Sequence, residues 1–121
     1  MNTLAHRSHW LFLGWLLLLG ISVLSLLPTE SLPDVQTHDK LGHFLAWGML
    51  MAWFSQIIRA HGPLAASLWA YSGAIEVLQG LSGYRDMSGL DLLANGLGIL
   101  TGWASARRWP DLLLRLDRCL R

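Results

Sequence analysis

His43, Glu76 and Asp91 are the residues in this sequence best suited to proton transfer, and each has a polar companion at helical spacing. Asp39 stands four residues before His43, Glu76 three before Gln79, and Asp91 four before Asn95, so each pair falls on one helix face. A carboxylate or imidazole held in a sheltered cleft can be tuned to act as general base or acid, which makes His43, Glu76 and Asp91 the candidate catalytic residues. Lys40 and Arg85 add positive charge beside them. A guanidinium can grip a phosphate through two hydrogen bonds, so Arg85, with Lys40 as a point charge, points to an anionic headgroup. The bland counterpart is a structural network, because buried polar groups in bundles hydrogen-bond across helices and fix packing without doing chemistry.

These residues are set in a strongly apolar chain. Of its 121 residues 53% are hydrophobic and 14% charged, with a formal net charge of +1. A membrane is the natural solvent for that balance, and the small charge argues against a nucleic-acid partner. The length allows a single domain over residues 1–121, which four spans of about 20 residues nearly fill. The spans are expected at about 10–27, 41–58, 64–81 and 90–106. Trp10 to Leu27 carries no charge, and Pro28 stops it. That run exceeds the apolar core of a signal peptide, and no small-residue cleavage site follows it. Pro28 to Lys40, which includes Pro33, reads as an exposed loop, Arg59 to Pro63 as a turn, and Ser82 to Gly89 as a second polar connection. Ser88 and Asp91 resemble a capping box at the start of the fourth helix.

From about 111 to 120 the tail sets Leu112, Leu113, Leu116 and Leu120 against Arg115, Asp117 and Arg118, a pattern that predicts a short amphipathic helix on the membrane surface. Cys119 is the only cysteine, so neither an internal disulfide nor a cysteine-built metal cluster is available. Arg7, Arg59, Arg107, Arg108, Arg115, Arg118 and Arg121 fall on one side of the four spans and Lys40 and Arg85 on the other, seven against two. Basic residues are retained inside, which puts both termini in the cytoplasm and Trp10, Trp69 and Trp109 near the inner interface. The expected fold is all-α: an integral membrane four-helix bundle with both termini cytoplasmic and a short amphipathic C-terminal helix.

In that topology Asp39, Lys40, His43, Glu76, Gln79, Arg85, Asp91 and Asn95 gather toward the outer face, where ionisable groups must pair or line a wet cleft. A divalent ion on Glu76, Asp91 and His43 is chemically allowed, but the sequence holds no compact ligand motif, and neither a metal nor another cofactor is expected. Gly98 and Gly102 have the spacing of a close helix approach, first within the monomer and alternatively in a homodimer.

The spaced polar residues resemble those of the VanZ-like proteins, a family named for an accessory protein of glycopeptide-resistance clusters. Its motifs look like Asp-Lys-x-x-His-Phe, Glu-x-x-Gln and Arg-x-x-Ser-x-x-Asp-x-x-x-Asn-x-x-Gly. They stand here in order as Asp39, Lys40, His43 and Phe44; Glu76 and Gln79; and Arg85, Ser88, Asp91, Asn95 and Gly98. The resemblance covers nearly the whole chain and implies a multi-pass protein of the bacterial inner (plasma) membrane. It also implies membrane lipids as partners, a lipid-linked envelope precursor or lipoglycopeptide as ligand, and an influence on teicoplanin susceptibility. With it, the ligand-contacting set becomes Asp39, Lys40, Gln79, Arg85, Ser88 and Asn95. It supplies no reaction. The expected function is binding of a lipid-linked or anionic cell-envelope component in the outer cleft, which an enzyme would extend to hydrolysis or group transfer. The alternative is a non-catalytic scaffold or subunit of a membrane complex.

Overall fold

The computed structural model describes residues 4–26, 35–82 and 89–120, with the backbone alone at 35–40. Five helices make up nearly all of it: α1 (Arg7–Leu26), α2 (Val35–Ser55), α3 (His61–Ser82), α4 (Gly89–Arg108) and α5 (Leu112–Cys119). No strand occurs among the described residues. α1 to α4 have 20, 21, 22 and 20 residues, and at about 1.5 Å per residue each is roughly 30 Å long. By length and apolarity α1 is the one described helix that qualifies as a candidate membrane span.

The local reasons for these helices are readable in their ends. Pro63 sits in the first turn of α3, where a missing N–H costs nothing. α4 begins with Asp91 in its first turn and ends with Arg107 and Arg108 in its last, each sign matched to the helix dipole. Residues 35–40, expected in a loop, belong to α2, because no proline interrupts the run from Val35 and a helix propagates through polar residues. At its other end α2 stops at Ser55, short of the expected Ile58. Gln56 instead turns, donating its side-chain amide to the Trp109 carbonyl and accepting from the Leu113 N–H.

The tightest contact in the bundle is between α2 and α4. A Cβ on Gly98 would collide with the Phe44 carbonyl, and one on Gly102 with the Gly48 carbonyl. The two backbones therefore touch along a stripe of small residues, as the Gly98 and Gly102 spacing predicts for packing inside the monomer. Around that seam Trp47, Leu50, Met51 and Phe54 of α2 meet Leu18, Leu68, Ile75 and Ile99 in one buried core.

The start of α1, the α2–α3 turn and the α4–α5 connection meet at one end of the bundle. There Trp53 Nε1 donates to the Trp10 carbonyl, and Arg59 lies 3.9 Å from Asp111. α5 closes this end in a way its leucine pattern did not predict. Leu113 and Leu114 point inward with Asp117, which was expected on the polar face and is fully buried. Asp117 Oδ2 accepts from Ala5 N at 2.7 Å; Oδ1 accepts from His6 N at 3.1 Å, His6 Nδ1 at 2.8 Å and Trp10 Nε1 at 2.9 Å. Trp10 is consequently buried at this joint. Leu112, Leu116 and Leu120 remain exposed, a stripe with a period of four residues on the outer face of α5. The sides of the long helices are equally apolar: Phe12, Leu16, Leu45, Met49, Leu93 and Leu100 are all about half exposed or more.

Two outcomes follow. Gly98→Ala should lower stability by about 1–3 kcal/mol in thermal unfolding, while Gly20→Ala, which has nothing within 4 Å of the added methyl, should be neutral or slightly stabilising. Asp117→Asn keeps the shape but sets an amide N–H against donors. It should cost about 1–3 kcal/mol and speed hydrogen exchange at the Ala5 and His6 amides.

Candidate functional site

At the opposite end of the bundle four polar side chains from three helices come together. His43 lies in the third turn of α2, Glu76 in the last third of α3, and Asp91 and Asn95 in the first two turns of α4. Their positions follow from the glycine seam: Phe44, whose carbonyl touches Gly98, is next to His43, and Asn95 lies one helical turn before Gly98. The backbone approach thus sets the His43 ring against Asn95, with Nδ1 2.8 Å from Asn95 Oδ1. Glu76 Oε1 is 3.9 Å from His43 Nδ1, and Asp91 Oδ2 is 3.9 Å from His43 Nε2. The imidazole stands between the two carboxylates.

The cluster is enclosed. Glu76 is 2%, Asp91 6% and Asn95 1% exposed, and the His43 side chain 9%. Coulomb terms are strong at such burial, because little water screens them. With Asn95 Oδ1 as the acceptor, His43 Nδ1 donates, and Nε2 is the ring nitrogen on the Asp91 side. A ring so held can take a proton at Nε2 and return it without moving, which is the property a general base needs. The same three residues could hold a cation: one ring nitrogen and one oxygen from each carboxylate lie within 4.8 Å of one another.

His43, Glu76, Asp91 and Asn95 are thus brought together as their spacing suggests. Gln79 is buried as well, but its amide donates to the Ser25 carbonyl at 2.6 Å and so ties α3 to the end of α1. The side chains of Asp39 and Lys40, and Arg85 and Ser88 entirely, lie outside the described residues. Sequence reasoning missed two buried polar groups in the body of the bundle. Ser22 Oγ is 2.8 Å from the Tyr71 hydroxyl, linking α1 to α3, and Ser72 Oγ donates to the Trp69 carbonyl. Lone serines in apolar helices give no sign of a cross-helix partner, so only the Ser22 to Leu18 turn bond was foreseeable. Trp69, expected at an interface, reaches across to donate to the Leu92 carbonyl near the start of α4.

A family model described as VanZ/LLP1 matches residues 7–114, which includes α1 to α4 and the whole polar cluster. The chain belongs to the VanZ-like family. No curated protein and no solved structure matches it. Within this VanZ-like chain the motif residues that are described divide into three groups. Phe44 and Gly98 meet in the α2–α4 seam, His43, Glu76, Asp91 and Asn95 form the cluster that the seam assembles, and Gln79 ties α3 to α1.

Proposed function

We propose that this VanZ-like chain is a four-span membrane protein that binds a lipid-linked or anionic cell-envelope component through the polar cluster at the outer ends of α2, α3 and α4. The observation that carries the reading is the enclosed His43–Asn95 pair flanked at 3.9 Å by Glu76 and Asp91. Charged groups sheltered in an apolar bundle are costly and are retained where they serve a site. Support for the membrane comes from the exposed leucines, methionines and phenylalanines on the sides of the four long helices, which suit an apolar solvent. Support for the orientation comes from Arg7, Arg59, Arg107, Arg108, Arg115 and Arg118, which accompany the termini at the end away from the cluster. That end is the cytoplasmic one in our reading, of a bacterial inner membrane, and the cluster opens toward the envelope.

Arg85 and Lys40 contribute the positive charge that the ligand's phosphate requires, with Asp39, Gln79 and Ser88 as neighbouring polar contacts. In its enzymatic form the reading makes Glu76 or Asp91 the base for hydrolysis or group transfer, with His43 relaying the proton and Arg85 offsetting developing charge. Altered teicoplanin susceptibility would be a consequence of occupying or modifying the envelope component. The exposed Leu112, Leu116 and Leu120 stripe of α5 favours a second reading, a scaffold that holds a partner at the inner surface, in which the cluster serves folding alone.

Native mass spectrometry of the detergent-extracted protein separates these readings. Wild type should retain a specific lipid-class species, and Arg85→Ala and Glu76→Gln should each lose it by about tenfold or more, equivalent to about 1.4 kcal/mol. Equal retention by folded variants would sink the ligand-site reading. Asp91→Asn should keep the ligand and lose turnover if Asp91 is a base. Topology has its own probe in the single, exposed Cys119. A membrane-impermeant maleimide should label it in inverted vesicles and not in intact cells; the reverse would overturn the orientation.

A further inference from the structure

We propose that His43, Glu76 and Asp91 form a binding site for one divalent transition-metal ion of the zinc class. The donor set is one imidazole and two carboxylates, which suits zinc, and manganese next. The three donor atoms lie mutually within 4.8 Å. Ligands about 2.0–2.2 Å from one zinc ion stand roughly 3–3.6 Å from each other, so closure shortens these separations by at most about 1–2 Å, within reach of side-chain rotation.

Asn95 supplies the second, independent indication. Metal-bound histidines almost always give their other ring N–H to an acceptor that fixes tautomer and ring orientation. Here the acceptor is the Asn95 Oδ1 at 2.8 Å from Nδ1, and it leaves Nε2 as the coordinating atom on the side of Asp91 Oδ2, 3.9 Å away. Glu76 Oε1, on the third helix and 3.9 Å from Nδ1, completes the set by swinging toward the Nε2 side of the ring. Because the three donors sit on three helices, 33 and 15 residues apart in the chain, no contiguous motif announces the site.

Three protein ligands leave a coordination position for a small oxygen donor, such as water or a phosphate oxygen. The phosphate option rests on the proposed envelope ligand, whereas metal binding does not. The two are therefore tested apart by measuring metal in the absence of any added lipid.

The experiment strips the detergent-purified full chain with a chelator, returns zinc by dialysis, and counts bound metal while calorimetry reads the affinity. Wild type and His9→Gln, a histidine at the other end of the bundle, should each bind about one zinc ion per chain. His43→Gln, Glu76→Gln and Asp91→Asn should each bind at least about tenfold more weakly. Magnesium and calcium at the same concentration should not displace the zinc. Absence of stoichiometric zinc in wild type, or unchanged affinity in the three variants, would overturn the site. If a variant fails to fold, the nitrogen NMR signals of His43 in wild type decide: a zinc-dependent shift at Nε2 with Nδ1 still protonated supports the site, and unchanged signals refute it.

Discussion

The structure depends on one steric fact: α2 and α4 can touch backbone to backbone because Gly98 and Gly102 present no side chain to Phe44 and Gly48. In the membrane setting proposed above there is little hydrophobic push between helices, so close packing and buried polar bonds must hold such a bundle together. The seam provides the first and creates the second. By fixing the separation and rotation of the two helices, it brings His43 against Asn95 with the geometry of a direct hydrogen bond. Glu76 and Asp91 are then added from α3 and from the first turn of α4. Nothing in the cluster could be arranged if the two backbones stood at the separation that ordinary side chains impose.

The bundle carries buried carboxylates at both ends, and their surroundings differ in kind. Asp117 is surrounded by donors: two backbone N–H groups, an indole and an imidazole. It reads as a structural joint, because its acceptor capacity is spent on holding the chain's first residues. Glu76 and Asp91 instead lie on either side of the His43 imidazole at 3.9 Å, with Asn95 holding that ring in place. Groups of that kind can exchange a proton or share an ion. The contrast distinguishes a site from a fastening without any appeal to position in the sequence.

Much of this was legible in the chain itself. The i, i+4 and i, i+3 polar pairs put His43, Glu76, Asp91 and Asn95 on shared faces, and the paired glycines announced a close approach, because both signals are local and periodic. The boundaries of α2 were misjudged at both ends, since a helix propagates through polar residues when nothing breaks it, and since Gln56 is drawn away by partners far off in the chain. Asp117 was misread for a related reason. In a short tail of leucines and arginines, an aspartate looks like part of the wet face, and only donors more than 100 residues away turn it inward. Gln79 shares a face with Glu76 as its spacing requires, yet its amide is engaged by a carbonyl on α1, a partner that spacing within α3 does not reveal.

The joint between α5 and the chain's start has a consequence for the order in which the molecule assembles. Asp117 contacts Ala5, His6 and Trp10 across sequence separations of 112, 111 and 107 residues, so these bonds close a very long loop. Contacts of that range come late, after the shorter loops between neighbouring helices have closed. A ribosome delivers α1 before α5, which means the earlier helix waits, without its final fastening, until α5 has emerged. In that interval α1 is held by its flank against α2 and by the Ser22–Tyr71 and Gln79–Ser25 bonds. The bundle is thus closed at its far end before it is locked at its near one.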